Sequence, residues 1–420
     1  MNARLVRRTC TAAALAVLAL VGPQTTATGA SSTPAPRAVT APAASAGSSA
    51  SVTVRTTART TKTTKTAARA ARAGRTAQPS AQRAPLNLLS RPTRPRSATS
   101  QRVPVGFSPG FSLMEEPISD LRRDLDQMRA LGINRVRLDL SWARVEGVQG
   151  RYDWSQPDRV FTEAAARGIR VLAVIGYQPD WAQRYDSAGR PLSVDPVGFA
   201  RFAEAAAVRY RSKVSAWEIW NEPNLQRFWI APPDAGQYAE LVNAVAPRIR
   251  VGDPLAPILV GAMSPANDVP DHTAVSPVTF LQGIYDRVAL RNFDAVSVHP
   301  YSYPAMPNGT EEWNTFYRMN QLRQIMVSHG DGATRMWVTE YGAPTGTSPD
   351  AVSLQQQADM VVAGIREARR RDYVGPLYLY SLRDTAVDPA DRESNFGLLT
   401  YDGRAKPAYT ALLQEQRRSA

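Results

Sequence analysis

Val171-Leu-Ala-Val-Ile175 and Ile258-Leu-Val260 are apolar at every position. A strand with one wet face alternates polar and apolar residues. A strand apolar throughout is covered on both faces, as the strands of a parallel sheet are. Working outward from these two runs, strand-like segments begin near Val103, Asn134, Arg170, Val214, Pro257, Asp294, Arg335 and Gly375. Amphipathic helical patterns fill the gaps: Pro117 to Leu131, Asp158 to Arg167, Pro196 to Tyr210, Ala235 to Arg250, Pro277 to Leu290, Glu312 to His329 and Leu354 to Arg371. Asp195-Pro196 and Ser276-Pro277 each set a capping oxygen before a proline at the first helical position.

Eight strand starts alternating with helices predict βα units around a parallel sheet. Eight such units point to an α/β fold, the (β/α)8 or TIM barrel. The competing arrangement, an open doubly wound sheet, calls for a glycine-rich phosphate turn after the first strand. No G-x-G-x-x-G follows that strand.

The first hundred residues differ in kind. Residues 1–30 read as a secretory signal peptide: Arg4, Arg7 and Arg8 precede a short apolar run from Ala12 to Val21, and small residues follow around Ala30. That run is too short for a permanent span, so no stable membrane insertion is expected after signal cleavage. Residues 31–100 are Ala/Thr/Ser/Pro/Arg-rich, hold twelve basic residues and no acidic one, and have little to bury. They are read as a disordered basic linker. Residues 101–420 form the expected catalytic domain.

This division relocates the charge. The whole chain has a formal net charge of +13, but residues 1–100 carry fifteen of the fifty basic residues and none of the thirty-seven acidic ones. The remainder holds 35 basic against 37 acidic residues, a net charge of −2. A nucleic-acid-binding fold carries its basic excess on the folded part, so no nucleic-acid partner is expected. The linker is instead suited to contact anionic cell-surface polymers. The one cysteine, Cys10, lies in the signal, so the mature chain has no thiol chemistry and no disulfide. A secreted, extracellular monomer is expected.

In a barrel the chemistry sits in the loops after the strands. The fourth strand ends in Trp217-Glu-Ile-Trp-Asn221-Glu222-Pro223-Asn224, and the seventh in Met336-Trp-Val-Thr-Glu340-Tyr341-Gly342. Each places a glutamate at the carboxyl end of an apolar strand, where a lone buried carboxylate costs several kcal/mol. Two carboxyl groups facing each other across a barrel mouth suit glycosidic cleavage. One gives a proton to the leaving oxygen, and the other, ionised, attacks the anomeric carbon.

Asn221-Glu222-Pro223 after strand 4, with Glu340 after strand 7, resembles the clan A glycoside hydrolases over essentially all of residues 103 to 415. The flavour is closest to family 39 and the related family 5 cellulase-like enzymes. The resemblance implies Glu222 as acid/base and Glu340 as nucleophile in a retaining double displacement on a β-linked oligo- or polysaccharide. It further implies that Arg137, in Val136-Arg-Leu-Asp-Leu-Ser-Trp142, keeps Glu340 ionised. His299 and Tyr301, in Val298-His-Pro-Tyr301, would line the sugar site, with Tyr301 donating its hydroxyl to Glu340, and Asn221 would bind the sugar 2-hydroxyl. The stretch from Phe396 through Tyr409 resembles the clan's closing loop and last helix. One departure stands out. Many members carry a tryptophan at the end of strand 8, where this chain reads Leu377-Tyr-Leu-Tyr380-Ser381-Leu382-Arg383. Either Tyr380 substitutes for it or Arg383 reaches in.

Trp181, Trp229 and Trp313 fall in loops where an aromatic face stacks on a pyranose ring or simply packs on the barrel. Trp217 and Trp337 read as core, with Trp220 near Glu222. Glu218 and Asp139 read as hydrogen-bonding support, and Glu115 and Glu116 as a solvated loop. His272 and His329 read as surface residues. Three histidines without ligand spacing give no expected metal site, and no cofactor is expected. The alternative function is a non-catalytic carbohydrate-binding or cell-wall-associated barrel protein.

Overall fold

A computed structural model of the chain describes residues 103–418. The expectations for residues 1–30 and 31–100 concern segments outside this range. Eight parallel strands close into a barrel in sequence order. They are β1 (Val105–Phe107), β2 (Arg135–Ser141), β3 (Arg170–Gly176), β4 (Val214–Ile219), β5 (Ile258–Met263), β6 (Ala295–Val298), β7 (Arg335–Tyr341) and β8 (Val374–Leu379). Each begins within two residues of its predicted start. β5 and β8 are buried at every position, as strands covered on both faces must be.

The main helices are α1 (Ile118–Ala130), α2 (Ser155–Ala166), α3 (Pro196–Tyr210), α4 (Ala235–Gly252), α5 (Pro277–Tyr285), α6 (Thr315–Ser328), α7 (Leu354–Arg370) and α8 (Pro407–Arg418). The two proline-led entries form as expected. Asp195 accepts hydrogen bonds from the Val197 and Gly198 amides, and Ser276 accepts one from Thr279. Each cap is worth about 1 kcal/mol. α5 ends at Tyr285, five residues short of its predicted end, and the chain continues in turns, with the amides of Arg287 and Val288 both closing on the Ile284 carbonyl. Among the described residues no helix is long and apolar enough to cross a membrane.

Side chains alternate along each strand between the barrel interior and the helix layer. Outside, Trp142, Phe199, Phe202, Trp154, Phe161 and Tyr210 form a run of ring contacts that joins the segment after β2 to α2 and α3. Inside, Leu172, Ala216, Leu259, Ala295 and Tyr378 form a separate apolar plug with Trp337. Two glycines make room for its large rings. A Cβ at Gly106 would lie 2.6 Å from the Tyr378 ring, and one at Gly375 2.7 Å from that of Trp337. The plug closes the lower barrel, so polar residues further along the same inner faces gather at the carboxyl-end mouth.

Candidate active site

Arg137 organises the mouth. It lies on the inner face of β2, level with Leu172 of β3, and is 1% exposed. A guanidinium this deep must have all its donors used. Its Nε donates to Glu218 Oε2 at 2.6 Å, its Nη2 to Asn221 Oδ1 at 2.7 Å, and its Nη1 to both Ser108 Oγ at 3.2 Å and Glu340 Oε1 at 2.5 Å. One side chain therefore ties together the ends of β1, β4 and β7. Glu218 is the hydrogen-bonding support expected of it. Asn221, its Oδ1 turned to Arg137, keeps its amide N–H donors for a ligand.

Both oxygens of Glu340 are used as acceptors, Oε1 by Arg137 and Oε2 by the Tyr301 hydroxyl at 2.7 Å. Burial, and then the charge of Glu340, push the Tyr301 hydroxyl far above its ordinary pKa, so it stays a donor. His299 sits between the two glutamates. Its Nδ1 is 3.0 Å from Glu222 Oε1 and 3.6 Å from Glu340 Oε2. An oxygen of Glu222, one of Glu340 and a His299 nitrogen all lie within 4.8 Å of one another.

Glu222 is 5% exposed, and its Oε2 has no hydrogen-bond partner. Burial pushes its carboxyl up, but the hydrogen bond and charge of His299, together with Arg227 at 3.7 Å, hold it below the ordinary glutamate value. The carboxylate of Glu340, with an oxygen within 4.8 Å of one of Glu222, opposes that pull.

The backbone at the mouth is held in an uncommon state. Tyr177, Trp220, Glu222 and Ala262 have φ values of 61°, 69°, 46° and 45°. Each such non-glycine residue costs of order 1–3 kcal/mol and persists only where its surroundings impose it. Trp220 is fully buried, with its indole N–H donated to the Phe228 carbonyl and its ring against Trp229, Phe199 and Tyr177. The Glu222 amide donates to the Ala262 carbonyl across β5. These contacts aim the Glu222 carboxyl.

The remaining sequence candidates divide. Tyr380 stands edge-on to Tyr301 and Phe396, so it occupies the strand-8 position beside the site. Arg383 does not reach in. It turns outward to pair with Asp124 on α1, because a carboxylate on the helix layer offers a bidentate partner there. Trp181 gives its indole N–H to the Glu146 carbonyl at 2.6 Å and packs edge-on against Trp142, a loop-packing role. Trp229 is buried and Trp313 is 48% exposed. Asp139 is not the support it was read as, since it makes no hydrogen bond to the protein and its Oδ1 is buried without a partner. Glu116 is also less solvated than expected: burial, then Asp124, push it up to about 7.

Two residues of the site were missed. Tyr177 ends β3 and packs on Trp220 and Phe111, and an aromatic at a strand end was the available signal. Arg227 sits over the Phe228 ring beside Glu222, and its loop position gave no signal. Glu222, His299 and Glu340 are spaced to hold a cation. Arg137, already on Glu340 at 2.5 Å, would repel one, so the set is better suited to proton transfer.

Comparison with known proteins agrees with this fold. A protein from Dickeya chrysanthemi named 6-phospho-beta-glucosidase is 27% identical over 111 residues, 24% of this chain and 23% of that protein. A family 39 glycoside hydrolase from the gut symbiont Bacteroides cellulosilyticus WH2 superposes with a TM-score of 0.61 at 24% identity, covering 76% of this chain and 64% of that one. The GH5_18 enzyme of Streptomyces cattleya, solved with GlcNAc, gives 0.58 at 18% identity over 76% of this chain and 81% of that one. These structural likenesses carry the fold. The chain spans about a quarter of the Dickeya protein and under two thirds of the Bacteroides one. The family model for cellulase (glycosyl hydrolase family 5) matches residues 103–374. That span runs from the first strand into the eighth and takes in both glutamates, and on it the chain belongs to the cellulase family of glycoside hydrolases, family 5.

Proposed function

We propose that this chain is a retaining glycosidase that cleaves O-glycosidic bonds in a β-linked oligo- or polysaccharide, with Glu340 as nucleophile and Glu222 as acid/base. The observation that carries the reading is the carboxylate pair, with an oxygen of each within 4.8 Å. Retaining enzymes hold their two carboxyl groups about 5–5.5 Å apart. Inverting enzymes leave about 6.5–9.5 Å for a water between them.

In the first step a Glu340 oxygen attacks the anomeric carbon as the bond to the leaving oxygen breaks, and Glu222 protonates that oxygen. Arg137 and Tyr301 hold the Glu340 carboxylate in line. In the second step Glu222 takes a proton from water, and the water oxygen displaces Glu340 from the anomeric carbon. Two displacements restore the original configuration. Formation of the glycosyl ester removes the Glu340 charge, which lowers the cost of ionising Glu222 as it turns from acid to base. Asn221 donates its free amide N–H to the sugar 2-hydroxyl.

The composition of the sequence supports an exported enzyme, with residues 1–30 as signal, 31–100 as a basic tether for anionic surfaces, and 101–420 as the catalytic domain. The intact pair, with Arg137 and Tyr301 engaged on Glu340, disfavours a purely binding barrel. Proton NMR of the first-formed product tests the mechanism, and an inverted anomer refutes it. Glu340→Gln should abolish turnover. Glu222→Ala should retain slow turnover of aryl glycosides with good leaving groups, and normal activity in both variants would overturn the site assignment.

A further inference from the structure

Among the described carboxyl groups at the mouth, Glu218, Glu222 and Glu340 each accept a hydrogen bond from the protein, and Asp139 does not. Asp139 follows Arg137 by two residues on β2, so it shares the inner face of that strand and lies one step nearer the mouth. It is 7% exposed, Oδ1 is fully covered, and neither oxygen accepts a hydrogen bond from the protein. A buried carboxyl left this way is costly. Facing Asp139 Oδ2 is Gly110, which has no side chain; even a Cβ there would stand 4.0 Å away. Tyr177 flanks it from β3, where burial and then the Asp139 charge push the tyrosine hydroxyl up.

The charges around Asp139 define what it can bind. Glu218 and Glu340 oppose its ionisation, Arg137 and His299 favour it, and burial outweighs both, so its carboxyl is pushed up to about 7. A carboxyl that holds its proton near neutrality both donates and accepts, which matches a sugar hydroxyl. A second anion would meet Asp139, Glu218, Glu222 and Glu340 around the single guanidinium of Arg137.

Resting on the glycosidase reading above, we propose that Asp139 is a specificity-determining residue that hydrogen-bonds one ring hydroxyl of a neutral glycosyl unit held against Glu340. A site built to pair a substrate hydroxyl rejects the analogue lacking it strongly, since its own polar group is then left unpaired.

The test uses the full chain and 4-nitrophenyl β-glycosides of glucose, xylose, galactose, mannose and glucuronic acid, followed by the monodeoxy analogues of the best substrate. The wild type should prefer a neutral glycoside over the glucuronide and discriminate against one monodeoxy analogue by about tenfold or more in kcat/KM. Asp139→Ala should raise KM for the parent glycoside and erase that one discrimination, leaving the others. An equal loss on every analogue would mark a structural role and overturn the proposal, as would an unchanged pattern or a preference for the glucuronide. Asp139→Leu, of similar volume but without a polar atom, carries the same comparison if the alanine variant does not fold. If the leucine variant also fails to fold, the carboxyl is structural and the proposal falls. Wild-type inactivity on the whole panel, or activity surviving Glu340→Gln, would instead count against the glycosidase reading itself.

Discussion

Replacing Asp139 by asparagine removes one ionisation and little else, since the amide fills nearly the same space and no protein hydrogen bond is lost. The folded protein holds the Asp139 proton up to about 7, against an ordinary value of 3.8, because burial outweighs Arg137. The unfolded chain releases that proton near pH 4. Between those values the folded state binds more protons than the unfolded one, so this group makes stability fall as pH rises from about 4 to about 7 and adds nothing further above that. At 1.36 kcal/mol per pH unit the displacement corresponds to about 4 kcal/mol. Asparagine has no such proton. The stability of Asp139→Asn relative to wild type should therefore improve by about 4 kcal/mol between pH 4 and pH 8. A large domain moves by roughly 2 °C per kcal/mol, so thermal melts followed by circular dichroism should show the difference changing by several degrees. Other titrating groups, Glu116 among them, cancel in the comparison. A difference that stays flat from pH 4 to pH 8 would mean that Asp139 is ionised in the folded protein throughout, and would refute the account of its environment.

Three further outcomes follow from the same contacts. Arg137→Met should cost about 3–5 kcal/mol, because Glu218 is left buried without its counter-charge, and turnover should be lost with it; melting temperature and activity together check this. Tyr301→Phe removes a hydrogen bond to a carboxylate worth about 1.5–3 kcal/mol, so the melting temperature should drop by a few degrees and kcat/KM on aryl glycosides should fall as Glu340 loses one of its two anchors. Lys406→Met strips the ammonium from Asp384 in the loop after β8 and from Thr345 in the loop after β7. Denaturant melts should show a loss of about 3–5 kcal/mol, while aryl-glycoside activity persists at temperatures where the variant is folded.

The eight strands and most of the helices were legible because each depends on local signals. Val171 to Ile175 is apolar along its whole length, and Asp195 and Ser276 cap helices within three residues of themselves. Glu222 and Glu340 were legible for the same reason: a strand end is a local position, and in this architecture strand ends converge. Asp139 was misread, and strand 8 alone does not choose between Tyr380 and Arg383, because these environments are assembled from distant segments. Arg383 follows β8, yet its partner Asp124 lies 259 residues earlier. Asp139 sits in the same short stretch as Arg137, and nothing in that stretch says which of the two will be paired.

The sequence by itself thus determined the barrel, the order of its strands and the glutamates at two of their ends, since strand period, helix caps and alternation act over a few residues. Only the tertiary structure decided the separation of the two carboxyl groups, the sharing of one guanidinium among Glu218, Asn221 and Glu340, the seat of His299 between the glutamates and the isolation of Asp139. The physical reason is that these depend on barrel closure, which brings inner faces of distant strands within hydrogen-bond reach. Charges then act through a desolvated interior, where a few ångströms decide which groups hold protons.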